Sequence, residues 1–203
     1  MRVGVAGAGS IGCYVGGALA ASGTDVVLVG RERQRDELRA HGLTGRAQRG
    51  GFHVAADELV VATELEALVG CDAVLCCVKC GDTVDVGARL GATLGPDAIV
   101  ASLQNGLHNA EVLRELLPDR RIVPGVVGFN VVARGGGVFQ QTTTGALVLE
   151  DCALVPVLRT AGLAVDVRAE LVPEQWTKLL AMADEIRAFL KEHDAQLKTK
   201  TEG

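Results

Sequence analysis

Three stretches of this chain carry residue types at spacings that suit chemistry. The first is Gly7-Ala8-Gly9-Ser10-Ile11-Gly12, directly behind the apolar run Val3-Gly4-Val5-Ala6. Each glycine answers a mechanical need: Gly7 permits a tight turn, Gly9 lets a pyrophosphate come against the backbone, and Gly12 allows a helix to pack closely on a strand. A phosphate there would rest on unpaired N–H groups at the positive end of a helix dipole, which brings Ser10 and Ile11 into the candidate site. Glycine-rich turns also form with no ligand. Here strand, turn and the helix-like segment Cys13–Ala21 come in the order that a dinucleotide-binding unit needs.

The second stretch follows Asp25–Val29, whose β-branched run reads as a buried strand. Its exit is Gly30-Arg31-Glu32-Arg33, with Arg35 close by. About 20 residues past the glycines, an NAD-binding domain sets an acidic residue on the ribose 2′-hydroxyl. Arg31 occupies that place here, and a guanidinium can clamp a 2′-phosphate that a carboxylate would repel. The reading is NADP(H). A solvated helix start of mixed charge is the alternative, and Glu32 fits it.

The third feature is a pair of strand ends. Ala73–Val78 is an apolar run that ends at Lys79, and Ala98–Leu103 is another, followed by Gln104-Asn105-Gly106. In open α/β sheets, ligands sit beyond the carboxyl ends of the strands, so Lys79 and Asn105 both fall at the crevice. Lys79 read plainly is a solvated lysine at a helix start, and Asn105-Gly106 is a common turn dipeptide. Placed on successive strands at one edge, the two become candidate ligands for a substrate or for the nicotinamide ribose.

The elements that must hold these residues alternate between strand and helix. Helices are expected at Glu32–Ala40, Asp82–Leu94 (apolar at 84, 86, 90 and 94), Asn109–Leu117 and Cys152–Thr160. Short strands are expected at Phe52–Ala55 and Val60–Ala62, with Gly42–Gly51 as a loop. Arg121–Ala133, the turn Gly135-Gly136-Gly137 and Val138–Gln141 read as one hairpin. Ala146–Glu150 and Leu163–Val167 add further strands. The fold class is therefore α/β, a Rossmann-type, doubly wound and mainly parallel sheet with antiparallel additions. From Glu170 the pattern turns helical: Val172, Trp176, Leu179, Leu180, Ala183, Ile186 and Leu190 give one apolar face, with Lys178 beside it. That helix must bury its face somewhere, on the sheet or on a second copy of the chain. Residues 1–168 form the nucleotide-binding domain and 169–203 a C-terminal helical segment.

Composition narrows the class. An apolar fraction of 48% over 203 residues supports a folded core. The net charge of −5, with acids and bases interspersed, argues against a nucleic-acid groove. No stretch reads as a membrane span. Arg2 and the apolar residues behind it imitate a signal peptide, but glycines at 4, 7, 9, 12, 16 and 17 break the run, so it reads as mature structure of a cytoplasmic protein. Six cysteines include Cys77-Val78-Lys79-Cys80, yet no second pair stands at metal-ligand spacing. Buried reduced thiols and no metal are the expectation.

These features together resemble the ketopantoate reductase (2-dehydropantoate 2-reductase) family. The match rests on GAGSIG at 7–12, Cys77-Val78-Lys79, LQNGL at 103–107, VVGFNVVARGGGVF at 126–139 and Glu174-Gln175-Trp176-Thr177-Lys178-Leu179-Leu180, in the family's order over residues 1–181. The resemblance implies an oxidoreductase of pantothenate biosynthesis that uses NADPH to reduce a small 2-keto acid, 2-dehydropantoate, to its hydroxy acid. It implies Lys178 as general acid, with Lys79 and Asn105 holding cofactor and substrate. A lysine partly desolvated beside Trp176 would be a better proton donor near neutral pH. The resemblance also implies a further helical domain of about a hundred residues, a usual domain length, which closes the cleft and contributes a dimer surface. Met182 stands where the family has a substrate-facing asparagine, and 183–193 no longer resembles the family. Two functional classes follow: a reductase, for 2-dehydropantoate or another 2-keto acid, and an NADP(H)-binding module without turnover. The C-terminal helix is a candidate homodimer surface.

Overall fold

Strand β1 (Arg2–Ala6) lies between β2 (Asp25–Val29) and β6 (Ala73–Cys76) and is parallel to both. The computed structural model describes residues 1–48, 50–181, 183, 184 and 187. The sheet built around β1 has eight strands: β5 (Val60–Ala62), β2, β1, β6, β7 (Ile99–Ser102), β8 (Arg121–Val127), β11 (Leu147–Leu149) and β12 (Val165–Val167) in spatial order. The strands from β5 to β8 are parallel, β11 runs antiparallel to β8, and β12 is parallel to β11. Chain order reverses at β1, so the crevice of this open sheet falls between β1 and β6 at their carboxyl ends.

The apolar runs are continuous because helices cover both faces. Alternation along each strand sorts the side chains into two cores. Val3, Val5, Leu28, Leu75 and Ala101 join Cys13, Val15 and Leu19 of α1 (Ser10–Ala21) and Leu154 and Leu158 of α5 (Leu154–Thr160). On the other face Val27, Val29, Val74, Cys76 and Val100 join Val86 and Leu90 of α3 (Thr83–Thr93) and Leu113 of α4 (Asn109–Leu116). Helix α2 (Glu32–His41) ends at Gly42, as its sequence indicates. In α3, Val84 faces solvent at 61% exposure and Gly87 takes its expected place inside.

Two expectations are corrected. Residues 42–51 are not a loop: β3 (Leu43–Arg46) pairs antiparallel with β4 (Gly51–Val54). The Gly- and Arg-rich composition hid a short alternation in which Leu43 is buried and Arg46 exposed. The run from Arg121 is not one arm of a hairpin either. Its first part is β8 of the main sheet; its second part, β9 (Val131–Gly135), pairs with β10 (Val138–Gln141) in a separate sheet of order β4-β3-β10-β9. The pairing of β3 with β10 is parallel and joins residues far apart in the chain, which no local pattern reveals.

This small sheet lies against α1. The Tyr14 ring meets Phe52 at 5.5 Å and Phe129 at 5.8 Å between centroids, and its hydroxyl donates to Gln141 Oε1 at 2.9 Å. Phe139, on β10, is 2% exposed and sits in the core of α1. A final helix, α6, runs over residues 172–181. Val172, Trp176, Leu179 and Leu180 are exposed on it, whereas Leu171 just before it is buried. Met182, Ile186, Leu190 and residues 188–203 as a whole lie outside the described residues. Phe139→Ala should lower the unfolding free energy by about 3–5 kcal/mol in a urea titration; a loss below about 1 kcal/mol would mean the small sheet is not part of the cooperative core.

Candidate active site

The glycine turn sits at the carboxyl end of β1. Gly7 has φ +106°, open to glycine and strained for other residues, and its N–H and that of Ala8 both donate to Val29 O, at 3.0 and 2.8 Å. A Cβ at Gly12 would overlap the Gly7 carbonyl oxygen, so the helix approaches the turn only because that atom is missing. Gly9 differs. It is the N-cap of α1 with φ −82°, and a Cβ there would meet nothing within 4 Å. No side chain caps this helix. The first-turn N–H groups of Ser10 and Ile11 therefore lack an intrahelical acceptor and open onto free space, the arrangement that takes an anion.

Arg31 is the N-cap of α2, exposed, one residue after Gly30. Among the described residues neither its guanidinium nor that of Arg33 has a hydrogen bond or ion pair, whereas Arg35 is committed to Asp36 at 2.8 Å. Of the basic residues at this strand exit, Arg31 and Arg33 are the ones left to meet a ligand.

Further along the same edge lies a cleft lined by Gln104, Asn105 and Gly106 from the loop after β7, Gly125 and Val126 of β8, and Gln175, Lys178 and Leu179 of α6. Lys178 projects from α6 across the end of β8 and donates from Nζ to Val127 O at 2.6 Å. Burial pulls its pKa below the ordinary lysine value. An ammonium has three donors, so the contact with Val127 leaves two for another acceptor in the cleft. A lysine held at a strand's carboxyl end, with its charged form weakened, is equipped to give up a proton.

The sequence model of the family described as ketopantoate reductase PanE/ApbA matches residues 3–153. The chain belongs to the ketopantoate reductase family. A curated 2-dehydropantoate 2-reductase of Halobacterium salinarum is 32% identical over 190 residues, which is 89% of this chain and 62% of that protein. One from Archaeoglobus fulgidus is 29% identical over 192 residues, 90% of this chain and 61% of its own length. The crystal structure of a PanE/ApbA family ketopantoate reductase from Ralstonia eutropha JMP134 superposes with a TM-score of 0.81 at 33% identity, covering 88% of this chain and 60% of that one. D-mandelate dehydrogenase in complex with NADH shares the fold, with a TM-score of 0.71 at 18% identity over 87% of this chain and 58% of that one. This member of the ketopantoate reductase family thus spans about three-fifths of the length of the curated relatives it matches.

Of the residues singled out from the sequence, the structure brings Lys178 and Asn105 into one cleft and leaves Lys79 out of its lining. The reason is that β6 ends at Cys76, earlier than the apolar run suggests, so Lys79 lies in an exposed turn before α3. The desolvation of Lys178 also has a different source from the one expected. Trp176 is 49% exposed, and residues two apart on a helix do not face each other. The lysine lies instead against the end of β8, in the cleft that the 104–106 loop also lines. Cys80 departs from the buried-thiol expectation, being exposed, while Cys13, Cys71, Cys76 and Cys152 are buried. Gln104 and Gln175 were missed. Gln104 was hidden by the turn signal of Asn105-Gly106, and Gln175 could have been found as the residue three before Lys178, on the same helical face.

The contrast between two glycines is testable on the free protein. Gly12→Ala should lower stability by about 1–3 kcal/mol, since its methyl has no room. Gly9→Ala should cost under about 1 kcal/mol, the ordinary difference between Gly and Ala at an N-cap. Equal losses in urea titrations would contradict the packing described for the turn.

Proposed function

We propose that this chain binds NADPH and reduces 2-dehydropantoate to pantoate. The observation that carries the reading is the cleft at the carboxyl ends of β7 and β8, which half-buried Lys178 and Asn105 both line in a chain of this family. The names of the curated relatives in Halobacterium and Archaeoglobus support the reaction and the substrate. The glycine turn fits a dinucleotide because its helix is uncapped and the space in front of Gly9 is open. Gly7, Gly9, Ser10, Ile11 and Gly12 would hold the pyrophosphate, Arg31 the 2′-phosphate, Lys79 the cofactor from its turn outside the cleft, and Asn105 the nicotinamide ribose or the keto acid. Arg31 and the lack of an acid at the end of β2 favour NADPH over NADH.

When bound, the reduced nicotinamide supplies the hydride. Lys178 gives a proton to the keto oxygen as the carbonyl carbon gains that hydride, so C=O becomes CH–OH. The lysine then recovers its proton from water. Asn105 orients the keto acid with its side-chain amide, and the end of β8 with the 104–106 loop keeps solvent from the lysine. Residues 1–168 serve as the nucleotide-binding domain, and 169–203 as a helical segment that brings Lys178 to the cleft and offers a homodimer surface, in a cytoplasmic enzyme.

A second reading, an NADP(H)-binding module without turnover, is favoured by one observation. Val172, Trp176 and Leu180 stand exposed on α6 at 59, 49 and 62%, so the helix carrying Lys178 is covered on one side only. Steady-state NADPH oxidation with 2-dehydropantoate separates the two readings. Nucleotide-induced thermal stabilisation without turnover supports the module, and no stabilisation by NADPH or NADH sinks both.

Lys178→Ala should lower kcat by about 10²–10⁴-fold and leave NADPH affinity nearly unchanged; a parallel loss of nucleotide binding would remove the lysine from the acid role. The pH dependence has a definite sign. Lys178 is protonated below its depressed pKa, so kcat/KM for keto acid reduction should fall as pH rises through that value, earlier than for a free lysine near 10.4. A profile flat to that pH would contradict it. Arg31→Asp should weaken NADPH by about ten- to a hundredfold, as loss of a charge-assisted bond implies, with little effect on NADH. Equal losses for both nucleotides would refute the 2′-phosphate assignment.

A further inference from the structure

The described residues bury four polar side chains, Thr83, Ser102, Gln104 and Asn109, and all four belong to a single hydrogen-bonded chain. Ser102 Oγ donates to Gln104 Oε1 at 3.1 Å. Gln104 Nε2 donates to Thr83 Oγ1 at 2.7 Å and to Val78 O at 3.1 Å. Thr83 Oγ1 passes the chain on to Asn109 Oδ1 at 3.1 Å. Asn109 Nδ2 then donates to Asn105 O at 2.7 Å and to Cys80 Sγ at 3.3 Å, and the Cys80 thiol donates to the same Asn105 carbonyl at 2.7 Å. Both amides use their two N–H groups and accept one bond, so each is satisfied in one orientation.

The chain joins two crossover loops that no strand pairing holds together. Val78 and Cys80 belong to the connection from β6 to α3, and Asn105 to the connection from β7 to α4; Thr83 and Asn109 are the first residues of those helices. Among the described residues the other buried side chains are hydrophobic. Burying polar groups at one place is favourable only when every one is paired, and a paired network fixes a single geometry where apolar packing would allow several. The network converges on the backbone of Asn105, whose residue lines the cleft with Lys178, and Gln104 lines that cleft as well.

We propose that Thr83, Gln104 and Asn109 are positioning residues, which set the backbone at Asn105 and with it the reach of Asn105 towards a keto acid held beside Lys178. This rests on the reading of the cleft as the reaction site. Thr83 is the midpoint, since its hydroxyl both accepts from Gln104 and donates to Asn109.

Thr83→Val keeps the shape and removes that hydroxyl. In the full chain it should lower kcat/KM for 2-dehydropantoate by about tenfold or more, since a small misplacement can cost up to about a hundredfold. Thr83→Ser should restore it to within about threefold of the parent. Thr93→Val, which removes a hydroxyl bonded only to Arg89 O on the same helix, should leave kcat/KM unchanged. In an Asn105→Ala background, Thr83→Val should have little further effect, because the network acts through Asn105. Amide hydrogen exchange across 104–109 should quicken in Thr83→Val and not in Thr83→Ser or Thr93→Val. Unchanged exchange in Thr83→Val, or the same loss of kcat/KM with and without Asn105, would overturn the positioning role. Absence of turnover in the parent chain, or full activity in Lys178→Ala, would instead overturn the reading of the cleft and with it the catalytic consequence, while the exchange data still judge the network itself.

Discussion

Parallel pairing governs where everything else in this molecule can be. A strand paired in parallel with its neighbour must be reached by a crossover, and crossovers in such sheets are right-handed. The carboxyl ends of β5, β2, β1, β6, β7 and β8 are therefore gathered at one edge. The glycine turn, Arg31, the Lys79–Cys80 turn, Asn105 and Val127 are all residues that follow or end one of those strands. They are neighbours for a topological reason, although more than a hundred residues separate the first from the last. Strands β11 and β12 run against β8, and α6, which follows them, reaches the end of β8 with Lys178.

Much of this was legible in the residues because short-range rules carry it. The continuous apolar runs of β1, β2, β6 and β7, the glycine spacing and the helix stop at Gly42 each announce themselves within a few positions. Illegible parts depend on partners remote in sequence. β3 is four residues with one arginine and one glycine, and it is a strand because β10 lies alongside it. The division of the 121–133 run between two sheets follows from the exit at Gly128–Asn130, where the chain leaves the main sheet. For the site, the residue types that could act were visible, but their mutual placement was not. Lys79 and Asn105 look equivalent as strand-end polar residues, and an earlier strand end at Cys76 puts one outside the cleft that the other lines.

The electrostatics of the cleft follow from the same architecture. Val127 O belongs to the last residue of β8, and it receives the Lys178 ammonium. That bond favours the charged lysine, whereas burial opposes it, and burial prevails. Among the described residues no acid lines the cleft to hold the proton on. A cationic donor without a carboxylate partner is left uncompensated and gives up its proton more readily.

The helix whose uncapped end faces the glycine turn is held from two sides, by the main sheet beneath it and, through Tyr14, Phe52 and Phe129, by the small sheet above it. Cys13 through Leu19 are buried without interruption. Packing on two sides restrains such a helix from tilting or shifting. The N–H groups of its first turn are oriented in advance, so complex formation loses little conformational entropy on the protein's side, and more of the interaction energy is retained as affinity. If the turn takes a dinucleotide as proposed, the small sheet, although remote from the chemistry, contributes to the affinity.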